Sequence, residues 1–97
     1  MVDMDFTDFT ATLERETPPE SLTLLLRALW LDKKGDFTGA HGIAQEVDTE
    51  DGSRVHAYLH RKEGDLPNAQ YWYRRAHCQA ASGSLDAEWE ALVRRFL

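Results

Sequence analysis

The chain has 97 residues, 42% of them hydrophobic and 29% charged, which suits one soluble domain with a modest core and is too apolar for a disordered chain. Its single cysteine, Cys78, excludes an internal disulfide framework and a cysteine-rich zinc site, and its apolar runs are too short to span a membrane. The net charge of −6 is polarised: residues 1–53 hold twelve acidic against four basic side chains and residues 54–97 five against seven, a poor pattern for general nucleic-acid binding, which depends on displacing counterions with Lys and Arg.

Phe6, Phe9 and Leu13 recur at intervals of three and four and predict a short amphipathic helix over residues 5–15, broken at Glu16-Thr17-Pro18-Pro19. A second helix is expected to begin near Thr17 or Ser21, with proline in its first turn and Glu20 at the positive end of its dipole. Its Leu22, Leu24, Leu25, Leu26, Leu29, Trp30 and Leu31 are apolar almost all round, which makes it the central helix. Gly35 reads as a left-handed cap and Asp36 as the N-cap of a helix carrying Phe37, Ala40, Ile43, Ala44 and Val47. After an acidic loop over 46–53, Ser53 is expected to cap a helix of about 54–62. Gly64 closes that helix, and Asp65 caps the next, about 66–77, with Pro67 in its first turn. A loop over 80–84 leads to a last helix from Leu85 to about Phe96, with Leu85, Trp89, Leu92, Val93 and Phe96 on one face. No segment alternates as a strand would, so the chain reads as one all-α domain of five or six helices.

Two stretches repeat each other at an offset of 29 residues: Ala28 to Ala40, with Gly35-Asp36-Phe37, and Ala57 to Ala69, with Gly64-Asp65-Leu66. Each reads as helix, Gly-Asp turn, helix. The second copy resembles a tetratricopeptide repeat through Ala57, Gly64, Asp65, Leu66, Ala69, Tyr73 and Ala76. The first matches less fully, because Ala44 stands where the aromatic belongs and the offset is shorter than the usual period of about 34. The segment Val55 to Arg75 also resembles a family of small proteins without an assigned activity. The tetratricopeptide resemblance, over about residues 21–79, implies two degenerate hairpins, about 21–47 and 53–77, with the N-terminal helix and a helix of about 84–97 as caps. It further implies a concave groove that receives an extended peptide or an acidic terminus.

On that register Arg54, Tyr58 and Arg61 form one stripe, at i, i+4 and i+7, on the inward face of the second hairpin, where two guanidiniums can clamp a carboxylate or phosphate. The alternative for them is pairing with Asp32 or the 46–51 loop. Tyr71-Trp72-Tyr73-Arg74-Arg75 is the densest aromatic and basic cluster, and Trp72 and Arg74 complete the candidate groove, unless these aromatics form a seam against Trp89. His56 and His60, spaced i, i+4, can present two imidazoles to one metal, with His41 as third ligand and Glu63, His77 or Cys78 as further candidates. Against this stands hydrogen-bonded packing, since the pair lacks the glutamate of a zincin motif. The leading expectation is a protein interaction or adaptor module with a protein or peptide partner and no cofactor, no catalytic motif, no nucleic acid and no membrane. The acidic start, without a secretory pattern, favours the cytoplasm, and a homo-dimer would compensate for having only two hairpins. The alternative is a ligand-binding or catalytic domain that takes zinc or another divalent metal, or a small ligand, at His41, His56 and His60.

Overall fold

A computed structural model describes residues 4–97, and the first three residues of the acidic start lie outside it. The described residues form six α-helices and one short 3-10 turn, with no strand. Helix α1, Phe6–Ala11, opens with a capping box in which Asp5 accepts from the Asp8 N–H at 2.8 Å and Asp8 accepts from the Asp5 N–H at 3.2 Å. It runs into a 3-10 turn, Thr12–Glu14, and its Phe9 is fully buried, as the spacing predicts.

Helix α2, Leu24–Lys33, begins later than Thr17 or Ser21. Thr17 and Pro18 each precede a proline, which disfavours helical backbone at both. The Leu22 N–H then closes a turn onto the Pro19 carbonyl at 3.3 Å, and Thr23 becomes the extended residue before the helix.

Both Gly-Asp corners fold alike. Gly35 and Gly64 sit at φ +92° and +88°, conformations that an L side chain rarely adopts. Asp36 N–H bonds the Leu31 carbonyl and Asp65 N–H the His60 carbonyl, each at 2.9 Å, while the glycine N–H groups reach Asp32 and Arg61, so each corner is a Schellman motif. Each aspartate side chain then caps the following helix: Asp36 accepts from Gly39 N–H, starting α3, Phe37–Glu46, and Asp65 accepts from Asn68 N–H, starting α5, Leu66–Arg75.

Helix α4, Glu50–Lys62, begins about a turn before the expected start at Ser53. Thr49, not Ser53, is its cap, accepting from Gly52 N–H at 3.0 Å, and Glu50 and Asp51 place negative charge at the positive end of the dipole. Ser53 is buried inside the helix. Gly52 makes the turn between α3 and α4 possible, because a Cβ there would come within 1.9 Å of the Val47 carbonyl oxygen. Helix α6, Leu85–Phe96, starts at Ser84, which accepts from Ala87 N–H, where the pattern puts it.

Helices α2 and α3 pack as one hairpin and α4 and α5 as a second, with α3 against α4; α6 lies across α2 and α4. Small buried residues, among them Ala28, Ala40, Ala44, Ala57 and Ala69, let the helices approach. The main core joins Phe9, Leu26, Leu29, Trp30, Val55, Leu59, Trp89 and Val93. Its two indoles are satisfied: Trp30 Nε1 donates to Thr12 Oγ1 at 3.1 Å and Trp89 Nε1 to the Leu29 carbonyl at 2.9 Å. None of the described helices is long and apolar enough to cross a membrane.

Candidate functional site

Because α3 packs on α4, His41 is brought against His56 and His60, which lie one turn apart on α4. One nitrogen from each of the three lies within 4.8 Å of the other two. His41 Nε2 and His56 Nε2 are 3.0 Å apart, with the rings edge to face, and the His56 and His60 rings are stacked at 4.8 Å. Two imidazole nitrogens on one zinc, each about 2.0–2.1 Å from it at the tetrahedral angle, would stand about 3.3 Å apart, so the observed pair is close to ligand spacing. It is also a hydrogen-bond distance, available when one ring donates and the other accepts.

Glu63, four residues beyond Leu59 and just past the end of α4, fixes the third ring. Its Oε1 is 2.6 Å from His60 Nδ1, so with a proton on Nδ1 the lone pair is on Nε2. Asp65 gathers with His60 and Glu63 but is committed to capping α5. Trp72 of α5 lies flat on His56 at 3.9 Å between centroids, and Phe37 stacks on His41 at 5.8 Å. His56 and His60 are buried and His41 half-buried. Burial first, and then the neighbouring His41 and His60, push the His56 pKa down from 6.5 to about 4, so this imidazole is neutral at pH 7, the form that coordinates metal.

The stripe of Arg54, Tyr58 and Arg61 is on the other side of α4: at about 100° per residue, His56 and His60 are about 200° and 240° around the helix from Arg54. There α6 already lies against it. Arg61 donates to Glu88 Oε1 at 2.8 Å and to the Gly83 carbonyl. Tyr58 donates to the buried Asp32 at 2.7 Å, and Lys62 donates to the other oxygen of Asp32 at 2.8 Å; burial and that carboxylate push the tyrosine pKa far up. Arg54 Nε is 3.5 Å from Asp51. Pairing with Asp32 thus involves Tyr58 and Lys62 instead of the two arginines.

Trp72 is half-buried against His56, and Arg74 is exposed. Tyr73 is buried and donates to Glu88 Oε2 at 2.6 Å, so the seam from this cluster to α6 runs through Tyr73 and Glu88, while Trp89 packs on Phe6, Phe9 and α2. Tyr71 is exposed beside Arg75. His77 is exposed and reaches Glu50, and Cys78 faces α6, so neither joins the three histidines. Phe37 is the wall that the sequence reading missed; its position four residues before His41 on one helix was the available signal. No protein-family model matches the chain, and no curated protein or solved structure does.

Proposed function

We propose that this domain binds a divalent transition metal, with zinc as the reference ion, through His41, His56 and His60. The reading rests on one observation: three imidazoles from two helices converge, with a nitrogen of each within 4.8 Å of the others. Three imidazoles are a donor set for zinc, copper or nickel, and a set of three protein ligands is one short of tetrahedral, as in zinc sites that keep a position for water or substrate. Glu63 would act on the metal through His60, orienting the ring and raising its basicity, a contribution typically worth about 10–100-fold in affinity. Trp72 and Phe37 would hold the other two rings in place.

The groove reading, in which a tetratricopeptide-like adaptor takes a peptide or acidic ligand on Arg54, Tyr58, Arg61, Trp72 and Arg74, has less support. A peptide on that face would have to displace α6 from Arg61 and would meet a Tyr58 hydroxyl already given to Asp32.

Titration of metal-free protein with zinc, followed by calorimetry and thermal melting, tests the metal reading. Stoichiometric binding is expected, with a stability gain of about 2.7 kcal/mol when free zinc is about 100 times Kd. His41→Gln, His56→Gln and His60→Gln should each remove most of the affinity, and Glu63→Gln should lower it by about 10–100-fold. Absence of stoichiometric zinc, copper or nickel binding would leave the three rings as a hydrogen-bonded packing cluster and end the proposal.

A further inference from the structure

The side of α4 turned away from the histidines borders a cavity of about 300 Å³, the volume of roughly ten waters in the liquid, between α4, the segment after α5, and α6. Arg54, Arg95 and Gln79 supply its polar lining, and Ala91, Leu92 and Cys78 an apolar wall. Glu88 also borders it, but both its oxygens are taken, one by Arg61 at 2.8 Å and one by the Tyr73 hydroxyl at 2.6 Å. Asp51 accepts from Arg95 Nε at 3.0 Å and is 3.5 Å from Arg54 Nε, which makes no hydrogen bond although that nitrogen is buried. Arg61 is balanced by Glu88, and Arg54 and Arg95 share the single carboxylate of Asp51, so the three guanidiniums carry one positive charge in excess. Nε is sealed from solvent and so from a ligand, but the other guanidinium nitrogens of Arg54, which lines the cavity, also have no hydrogen-bond acceptor among the described residues, and an entering carboxylate would supply one.

We infer that this cavity binds a small organic carboxylate, with the carboxylate on Arg54 and the apolar body against Leu92 and Ala91. A single excess positive charge matches a monoanion, whereas Asp51 and Glu88 would repel a dianionic phosphate. The size and mixed lining are those of a small-molecule site. This site shares α4 with the histidine cluster but no side chain, so it stands or falls apart from the metal reading.

A carboxylate can be carried by a free acid or by a peptide C-terminus, and calorimetry of the full chain in EDTA separates them. Benzoate represents the first and N-acetylleucine the second, each set against its neutral amide. At least one acid should bind about tenfold or more tighter than its amide, and Arg54→Gln should weaken it by about tenfold or more. The acid should also slow the reaction of Cys78 with a thiol reagent, and the amide should not. Binding by benzoate alone identifies a free acid, and by N-acetylleucine alone a chain terminus. Equal binding of acid and amide, no binding of either acid, or undiminished binding by Arg54→Gln would overturn the inference. Should Arg54→Gln not fold, Arg95→Gln replaces it, and Cys78 protection of wild type that is the same with acid and amide would be equally fatal.

Discussion

His56 has the strongest physical reason to remain uncharged: it is buried under Trp72 and faces two other imidazoles. Its pKa, pushed down from 6.5 to about 4, has a consequence for stability. Between those values the unfolded chain binds a proton that the native protein refuses, so the metal-free fold has its full stability above pH 6.5 and loses it as pH falls toward about 4. Melting temperatures in EDTA should fall across that window, and His56→Gln should flatten the dependence there. A wild-type profile identical to that of His56→Gln would mean that His56 is protonated normally. That His56 and His60 share a face was legible from their spacing, since residues four apart on a helix are neighbours. The role of Glu63 was not, because its position three residues on fits a metal ligand as well as a partner for His60, and only the 2.6 Å contact with Nδ1 decides.

At the level of helices, the turns carry the design. The two Gly-Asp corners could be read from the sequence because their chemistry is local: a left-handed glycine followed by an aspartate cap needs no distant partner. A third corner uses the same hydrogen bonds, His77 N–H to Arg74 and Cys78 N–H to Tyr73, with His77 at φ +55° in place of glycine, and nothing in its side chain announces it. The start of α4 was misplaced because Ser53 and Thr49 are both competent caps, and the choice depends on how α3 ends. Gly52 shows this constraint. Gly52→Ala should destabilise the fold by about 1–3 kcal/mol, since its Cβ would press on the Val47 backbone. Gly42→Ala, in α3 with nothing within 4 Å of the added Cβ, should stabilise by about 0.5–1 kcal/mol. Urea unfolding of the two variants checks both signs.

Across the whole molecule, α6 closes the structure. Two hairpins alone leave the inner faces of α2 and α4 without cover, and α6 supplies it through Trp89, Leu92 and Val93. Trp89 is the central contact: it packs on Phe6 and Phe9, bonds the Leu29 carbonyl, and carries Lys33 over its ring. Trp89→Ala should cost about 3–5 kcal/mol in denaturant unfolding. A cost below about 1 kcal/mol would mean that α6 is a detachable strap over an otherwise stable pair of hairpins. Placing α6 on α2 and α4 also changes how the conspicuous surface residues read. Arg61 and Tyr73 converge on Glu88, which ties α4 and α5 to α6, so residues that suggest an open binding groove in the sequence are joined to the protein's own last helix.

The sequence alone determined the all-α class, a count of five or six helices, both Gly-Asp corners and the pairing of His56 with His60, because these follow from periodicity and short-range capping. Tertiary structure decided that His41 completes the cluster, that Glu63 holds His60, and that α6 covers the Arg61 and Tyr58 face. Those relations span from three to several tens of residues and depend on which helix faces pack together. Local spacing can propose such contacts, but side-chain burial and the angle between neighbouring helices choose among them.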